Sequence, residues 1–304
     1  MNVLLAGATG ALGIPLTRKL LARGHQVLGL TRGPAGAARL RALGARPVVA
    51  DALDRDGLLR SVEGLTADAV IHELTALKQP PLRHRGMVRT DRLRTEGTAN
   101  LLAAAELLGA RPFLTQSFVL GYGYRDHGGR VLTERDPFGE AAGDRNDPHL
   151  AAMRSTELQA WSAPEGIALR YGLLYGADAD RLRPMLATRR LPVADGGVVG
   201  WVHHEDAAAA TVAALERGRA GQAYNIVDDR PAGGVHRDGH RPRGPAPAPV
   251  ARMVGATGRT VRRLDRRGLP AAGVQRQGDG RAGLVAVVPH LRRGDPGHRL
   301  FNDR

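Results

Sequence analysis

The chain contains no cysteine among its 304 residues, so disulfides and thiolate chemistry are excluded. No apolar run reaches the length of a membrane-spanning helix, about 18 residues or more, and no basic leader precedes the first apolar run. We therefore expect a cytoplasmic protein without a membrane partner. Aromatic residues make up only 4% of the chain, but hydrophobic residues make up 42%, which is enough for a core.

Lysine is almost as rare as cysteine, with 2 residues in the chain against 42 arginines. The net charge of +14 would normally suggest a nucleic acid or another anionic surface as partner. Most of this charge lies in residues 232–304, which contain 15 Arg and 5 Asp and therefore carry +10. The other 231 residues carry only +4, from 29 basic and 25 acidic side chains. The body is close to neutral, and we expect no nucleic-acid partner.

Short apolar runs alternate with segments of helical periodicity throughout residues 1–231. The predicted strands are 3–6, 26–31, 47–50, 69–72, 112–116, 167–171 and 224–227, and the predicted helices are 12–23, 36–43, 56–62 and 92–108. This alternation predicts an α/β fold, a doubly wound parallel sheet of the Rossmann type with helices on both faces. We assign residues 1–165 to a nucleotide-binding domain, whose sheet also includes the last two strands. Residues 175–223 are assigned to a small, truncated substrate-binding lobe.

A glycine-rich loop follows the first predicted strand and opens the first predicted helix. It reads Gly-Ala-Thr-Gly-Ala-Leu-Gly, with the spacing G-x-x-G-x-x-G, and its candidate cofactor residues are Gly7, Thr9, Gly10, Ala11, Leu12 and Gly13. Glycine lets the backbone approach a pyrophosphate, and the helix N-terminus offers that anion unpaired amides and a partial positive charge. The loop therefore predicts dinucleotide binding, and a tight turn without a ligand is the alternative.

The end of the second predicted strand bears on which dinucleotide binds. An acidic residue there would bind the ribose 2′-hydroxyl of NAD, whereas this strand ends in Thr31 and Arg32. A guanidinium suits the 2′-phosphate of NADP. We therefore favour NADP over NAD, and a solvated loop arginine is the other interpretation of Arg32.

Several later segments resemble the NAD(P)-dependent epimerase/dehydratase family, the extended short-chain dehydrogenases/reductases. They include residues 95–102 (Thr-Glu-Gly-Thr-Ala-Asn-Leu-Leu), 169–176 (Leu-Arg-Tyr-Gly-Leu-Leu-Tyr-Gly) and 201–208 (Trp-Val-His-His-Glu-Asp-Ala-Ala). The resemblance covers residues 1–231 and implies a small-molecule substrate and, as in many members, a homodimer. It also implies that Asp51 and Ala52 contact adenine, and that the end of the fourth strand lines the cofactor through Leu74, Thr75 and Ala76.

The catalytic residues of that family are matched only in part. Its chemistry uses a tyrosine as acid and base, a lysine four residues later, and a Ser or Thr that orients the substrate oxygen. The resemblance places Ser117 in the orienting position, but Leu150 and Arg154 stand where the tyrosine and lysine belong. Arg154 could hold the nicotinamide ribose without relaying a proton. Tyr122 or Tyr124 is a candidate replacement acid, and either could equally be packed or exposed without a chemical role.

We expect an NADP-preferring oxidoreductase or epimerase/dehydratase-type enzyme that acts on a hydroxyl- or carbonyl-bearing small molecule, such as a sugar nucleotide. The alternative is a non-catalytic NAD(P)-binding sensor or an inactive member of the family. Arginines at positions 83, 85, 89, 92 and 94 leave open an anionic substrate or a solvated helix face. His203 and His204 lack metal-ligand spacing, so we assign no metal.

Residues 232–304 differ in composition from the body, with 15 Arg, 13 Gly and 7 Pro, and we expect a tail of low order. Read one base later, the codons of residues 274–289 permit Ser-Asn-Ala-Lys-Ala-Thr-Ala-Glu-Leu-Gly-Trp-Ser-Pro, which resembles the ending that the family would supply. We hypothesise that the reading frame slips near Pro231. The alternatives are a divergent lobe or a basic tail that binds nucleic acid, in which only Phe301 could stack on a base.

Overall fold

A seven-stranded parallel sheet forms the centre of the protein. The computed structural model describes residues 1–77, 84–125, 127, 130–176, 198–229 and 232–233. The strands are β1 (Asn2–Ala6), β2 (Gln26–Thr31), β3 (Arg46–Val49), β4 (Ala69–His72), β5 (Pro112–Phe118), β6 (Glu165–Tyr171), β7 (Leu173–Tyr175), β8 (Val198–Val199), β9 (Trp201–His203), β10 (Ala223–Ile226) and β11 (Ala232–Gly233). The helices are α1 (Gly13–Ala22), α2 (Pro34–Ala42), α3 (Arg55–Val62), α4 (Val88–Arg92), α5 (Thr98–Leu108), α6 (Asp147–Ser162) and α7 (His204–Arg217).

The strand order places the carboxyl ends of β1 and β4 side by side. It runs β10-β6-β5-β4-β1-β2-β3, and the neighbouring strands of this sheet are parallel. The chain winds outwards from β1 in both directions, and such a reversal opens a crevice at the carboxyl edge, where ligands of doubly wound sheets bind. The predicted α/β class and Rossmann-type sheet are confirmed.

The central strands β1, β2 and β4 are largely apolar because helices cover both faces of the sheet. Val3 and Leu5 belong to a core shared with α1 and α7, whereas Leu4 and Ala6 belong to a second core shared with α3 and α5. This division follows from the alternation of side chains along a strand. Each predicted strand of the sheet is confirmed, with its ends shifted by at most two residues.

The segment predicted as one helix over 92–108 starts earlier and changes its geometry inside. α4 begins at Val88, residues Leu93–Gly97 form a π-helical turn, and α5 follows directly. Within this wider turn the side chain of Arg94 is buried, so that it does not share the solvated face of Arg89 and Arg92. Single π turns inside helices are frequent at functional sites.

The substrate-binding lobe assigned to 175–223 stays a prediction, because residues 177–197 lie outside the described part of the chain. The helix that follows, α7, packs against α1 and contributes Ala208 and Val212 to the core of β1. The predicted tail also lies outside the described residues, apart from β11, which pairs antiparallel with β8. Within the described residues, no helix has the length and apolar character to cross a membrane.

Candidate functional site

The glycine loop between β1 and α1 turns tightly against the end of β4. Gly7 has a φ of +94°, which favours glycine, and a Cβ there would lie 2.5 Å from the carbonyl oxygen of Glu73. A Cβ on Gly13 would lie 2.0 Å from the carbonyl oxygen of Gly7. The packing of the turn therefore requires glycine at both positions.

The outer part of this loop faces solvent and has backbone donors to offer. The amide of Gly10 donates to the carbonyl oxygen of Gly7 at 2.9 Å, and the amide of Ile14 donates to that of Gly10 at 3.1 Å. Between them, the amides of Ala11 and Leu12 form no hydrogen bond with any described residue. They lie at the N-terminus of α1, where the helix dipole favours an anion. This arrangement fits the pyrophosphate of a dinucleotide.

Arg32 lies next to the glycine loop. It is exposed directly after β2, and α2 begins two residues later at Pro34. The start of α2 is close to the loop, since a Cβ on Gly36 would lie 3.4 Å from Cγ2 of Thr9. The Arg32 guanidinium forms no hydrogen bond or ion pair with the described residues, so it can receive a phosphate group.

The residues that the family resemblance places at adenine are held by the protein itself. Oδ1 of Asp51 accepts the amide of Leu53 at 3.0 Å, and Oδ2 accepts Nη2 of Arg89 at 2.9 Å. Ala52 is buried, and its carbonyl oxygen accepts Nδ2 of Asn100 at 2.8 Å. These contacts fix the turn after β3, and an adenine contact at Asp51 and Ala52 stays a prediction.

The loop after β4 is held by hydrogen bonds to α4 and to β5 at the carboxyl edge. Thr90 of α4 is fully buried, lies 3.4 Å from the hydroxyl of Thr75 and accepts the amide of Ala76 at 3.2 Å. The side-chain amide of Gln116 in β5 donates to the carbonyl oxygen of Leu74. Leu74, Thr75 and Ala76 therefore follow the sheet edge from the glycine loop to β5, where a bound cofactor would extend.

A buried acid lies behind the glycine loop. Glu73 is 6% exposed, and its Oε1 accepts the hydroxyl of Tyr171 at 2.8 Å. The same hydroxyl lies 2.6 Å from Oγ1 of Thr211 on α7. Burial raises the pKa of Glu73 to about 8, although the hydrogen bond from Tyr171 opposes this shift. Burial therefore favours the protonated, neutral form of this carboxyl group.

Ser117 lies near the end of β5. Its residue is 2% exposed, and its hydroxyl forms no hydrogen bond with the described residues. An unpaired buried hydroxyl costs about 1–3 kcal/mol. A hydrogen bond to a ligand at the carboxyl edge would remove this cost, as expected of a residue that orients a substrate.

Tyr122 belongs to a buried network that links β6, α6 and β10. Its hydroxyl donates to Oδ1 of Asn225 at 2.7 Å and accepts Nη1 of Arg170 at 2.9 Å. Arg170 also donates to both carboxylate oxygens of Glu157, at 2.8 and 2.7 Å. Burial raises the pKa of Tyr122. Because both hydrogen-bonding roles of the hydroxyl are taken, these contacts give Tyr122 a structural role and no support as an acid.

Arg154 contacts the loop that precedes α6. It is exposed on α6, donates to the carbonyl oxygen of Gly139, and places its guanidinium carbon 5.7 Å from the ring centre of Phe138. Leu150 and Met153, by contrast, are buried on the inner face of the helix. Leu150 is thus buried and Arg154, one turn later, is exposed, and a contact of Arg154 with the cofactor ribose stays a prediction.

Sequence reasoning missed a cluster between α4, the π-helical turn and α6. Oδ2 of Asp91 lies 2.6 Å from Nδ1 of His149, and Nε2 of His149 lies 2.9 Å from Nδ1 of His84. Nη1 of Arg94 lies 3.7 Å from the other oxygen of Asp91. Tyr124 is 43% exposed beside Asp91 and Arg94, and burial of its hydroxyl raises its pKa. The available signal was a histidine one residue before the position expected for the tyrosine.

The fold and this site define a nicotinamide-dependent oxidoreductase of the short-chain dehydrogenase type. The chain belongs to the NAD dependent epimerase/dehydratase family, whose sequence model matches residues 3–227. It is 39% identical over 248 residues to a 3-diazoavenalumate denitrifying reductase from a Streptomyces species, an alignment that covers 76% of this chain and 77% of the relative. It is 29% identical over 250 residues to a 2-alkyl-3-oxoalkanoate reductase from Stenotrophomonas maltophilia, with 76% and 72% covered.

A solved structure agrees with the family assignment. The dTDP-glucose 4,6-dehydratase of Streptomyces venezuelae, solved with NAD bound, superposes with a TM-score of 0.60 at 26% identity and covers 75% of this chain and 76% of its own. The chain is therefore an oxidoreductase-type enzyme with a nicotinamide cofactor. No group of three His, Asp or Glu residues within the described ranges is arranged to hold a metal ion.

Proposed function

We propose that this protein is an NADP(H)-dependent reductase that replaces the diazo group of a small molecule with hydrogen. The observation that carries the proposal is a contrast within the site. The glycine loop has a geometry that suits a pyrophosphate and the Ser117 hydroxyl has no partner among the described residues, whereas Leu150 is buried and Arg154 is exposed. The 39% identical relative supports the substrate class, because its name describes a denitrifying reductase for a diazo compound.

Replacement of a diazonium group by hydride requires no acid. When bound, the reduced nicotinamide supplies a hydride, which brings two electrons. In the diazonium form of the substrate, the hydride bonds to carbon while the carbon–nitrogen bond breaks, its electron pair stays with nitrogen, and N₂ leaves. No oxyanion forms, so no side chain has to protonate one. A buried leucine in place of the tyrosine is compatible with this reaction.

The residues of the carboxyl edge take separate roles in this proposal. The amides at the start of α1 hold the pyrophosphate, and Arg32 binds the 2′-phosphate that distinguishes NADP from NAD. The loop of Leu74, Thr75 and Ala76 lines the cofactor, with Asp51 and Ala52 towards adenine. The hydroxyl of Ser117, which has no partner among the described residues, donates a hydrogen bond to an acceptor on the substrate. This bond fixes the position of the reacting carbon.

Epimerisation or dehydration of a sugar nucleotide is the less supported activity. These reactions need a group that removes and returns protons, which Tyr122, Leu150 and Arg154 do not provide in their observed contacts. Carbonyl reduction stays a second candidate, because another relative is named as a reductase of 2-alkyl-3-oxoalkanoates. A sensor that binds the cofactor without turnover is the alternative outside catalysis.

A substrate panel tests the proposal. The purified protein with NADPH is offered 3-diazoavenalumate, a 2-alkyl-3-oxoalkanoate or dTDP-glucose, and NADPH consumption and N₂ release are followed together. We expect consumption with the diazo compound and equal amounts of N₂. Gly13→Ala should abolish NADPH binding and turnover, while Gly33→Ala, where a Cβ meets nothing within 4 Å, should retain both. NADPH binding without turnover on any compound would establish the sensor instead.

A homodimer and a cytoplasmic location also stay proposals. Leu107 on α5 and Leu158 on α6 are each 58% exposed, and these two helices contact each other on one face of the sheet. An apolar surface of this kind suits pairing with a second copy of the chain.

A further inference from the structure

Two hydrogen bonds connect a largely buried carboxylate to the protein surface. Asp91 bonds His149 at 2.6 Å, and His149 bonds His84 at 2.9 Å. His149 is 6% exposed, whereas His84 is exposed in a 3-10 turn before α4. The two ring planes lie within 4°, with centroids 5.2 Å apart. The centroid distance exceeds the nitrogen distance by about two ring radii, so the hydrogen bond lies in the plane of both rings.

We infer that Asp91, His149 and His84 form a proton relay that supplies the proton donor for the second candidate activity, the reduction of a carbonyl group to an alcohol. His84 is the proton donor, and Asp91 and His149 are positioning residues. The inference rests on the proposed hydride transfer, and it adds a proton donor, which the hydride transfer alone does not supply. A carbonyl, unlike a diazo group, leaves an oxyanion that must be protonated.

With Asp91 ionised and His149 neutral, the hydrogen bonds set the direction of the relay. An ionised Asp91 only accepts, so the proton between it and His149 belongs to Nδ1 of His149. The Nε2 atom of a neutral His149 then accepts, and Nδ1 of His84 must carry the second proton. The remaining nitrogen, Nε2 of His84, is the atom at which the relay gains or loses a proton.

The position of α6 places the relay at the same edge as Ser117. The helix connects β5 to the parallel β6, so it runs antiparallel to them, and Oγ1 of Thr156 lies 2.8 Å from Oγ1 of Thr115 in β5. His149 precedes Thr156 by two turns, roughly 10 Å along the helix. Ser117 lies two residues beyond Thr115, roughly 7 Å along the strand. His149 is therefore only slightly further out than Ser117.

α4 gives an independent connection to the cofactor side. Thr90, the neighbour of Asp91, bonds the loop of Thr75 and Ala76 that follows β4. The relay thus stands between the loop that lines the cofactor and the N-terminal end of α6. Its exposed end is His84, and the proposal requires that the Nε2 atom of His84 reaches a substrate bound at Ser117.

Charged groups of both signs surround the relay. The negative charge of Asp91 is balanced by Arg94, which is buried and leaves Nε and Nη1 without a hydrogen-bond partner among the described residues. Arg85 is the exposed neighbour of His84 in the 3-10 turn. Tyr124 lies close to Asp91 and Arg94. The Asp144 carboxylate, in the loop before α6, also contributes to the raised pKa of Tyr124.

The atoms and electrons of the reduction balance between the reduced nicotinamide, the carbonyl substrate and His84. The hydride of the reduced nicotinamide bonds to the carbonyl carbon, and the π-electron pair of the C=O bond moves to oxygen. The oxygen takes the proton from Nε2 of protonated His84, whose ring becomes neutral. The nicotinamide is oxidised, the carbonyl is reduced, and His84 regains a proton from water because it is exposed.

His84→Gln tests the donor, and the 2-alkyl-3-oxoalkanoate and 3-diazoavenalumate serve as the two probes. We expect kcat/KM for the carbonyl substrate to fall by roughly 10²–10⁴, the usual contribution of a general acid, and to fall far less for the diazo substrate. The pH profile of kcat/KM for the carbonyl substrate should differ between the wild type and His84→Gln, because only the wild type has the imidazole. Asp91→Asn should shift or flatten the same pH profile while NADPH affinity is retained.

His25→Gln is the matched control, since His25 also faces a carboxylate, Glu216 at 3.4 Å, but lies at the opposite edge of the sheet. Equal losses for both substrates, or an unchanged carbonyl rate in His84→Gln, would overturn the relay. NMR of the imidazole nitrogens tests it without turnover. Protons on Nδ1 of neutral His84 and His149 support the relay, and a proton on Nε2 of neutral His84 contradicts it. Absence of diazo turnover counts only against the proposed function.

Discussion

Tyr122→Phe separates a structural tyrosine from a catalytic one. The substitution removes a hydroxyl that bonds Asn225 and Arg170 in a site only 3% exposed, and the ring itself still fits. It leaves a buried amide oxygen and a guanidinium nitrogen each without one partner, which costs roughly 2–3 kcal/mol. In a domain of this size that loss corresponds to a decrease in Tm of roughly 4–12 °C.

Urea unfolding and NADPH-linked kinetics measure the two roles separately. Tyr124→Phe is the matched control, because Tyr124 is 43% exposed, and its free energy of unfolding should change by less than about 0.5 kcal/mol. We expect Tyr122→Phe to lose stability while kcat stays close to the wild-type value at a temperature where the variant is folded. An unchanged Tm combined with a large loss of kcat would refute the reasoning and make Tyr122 the acid.

Three further predictions concern the cofactor, the buried acid and the tail. Arg32→Ala should weaken NADPH binding about tenfold, or about 1.4 kcal/mol, and leave NADH binding nearly unchanged, as measured by fluorescence titration; equal effects on both cofactors would remove Arg32 from the 2′-phosphate site. Because the pKa of Glu73 is raised to about 8 in the folded state, the folded protein holds a proton that the unfolded chain loses above about pH 4.5. Stability should therefore decrease from that pH up to about pH 8, by roughly 3–5 kcal/mol, and Glu73→Gln should flatten this part of a urea-unfolding pH series. Translation of the gene one base later beyond Pro231 should give an ending like that of the family, and a downstream frame without that ending would reject the slip.

The fold could be predicted because its signals are local. Apolar runs and glycine positions lie within short stretches of sequence, and the loop from Gly7 to Gly13, between a predicted strand and a predicted helix, predicts the cofactor edge. The catalytic half could not be predicted in the same way. Tyr122 and Tyr124 are two residues apart, and only their packing against Arg170 and Asn225, or next to Arg94, distinguishes a buried link from an exposed ring.

The relay could not be predicted from the sequence either, because its residues are far apart along the chain. His84, Asp91 and His149 come together only when α4 packs on α6, and no spacing in the sequence records that contact. The π-helical turn adds a second difficulty, since it shifts the phase of the helix at Arg94. A regular periodicity over 92–108 groups this arginine with solvated neighbours, although its side chain is buried.

Transfer of the cofactor hydrogen tests the central claim most directly. The protein is given 3-diazoavenalumate and NADPH that carries deuterium on C4, with each C4 face labelled in turn, and the product is examined by mass spectrometry and NMR. We predict that one of the two labelled cofactors places one deuterium on the carbon that carried the diazo group, with N₂ released. A product that takes this hydrogen from D₂O, with none from either labelled cofactor, would contradict hydride transfer by this protein.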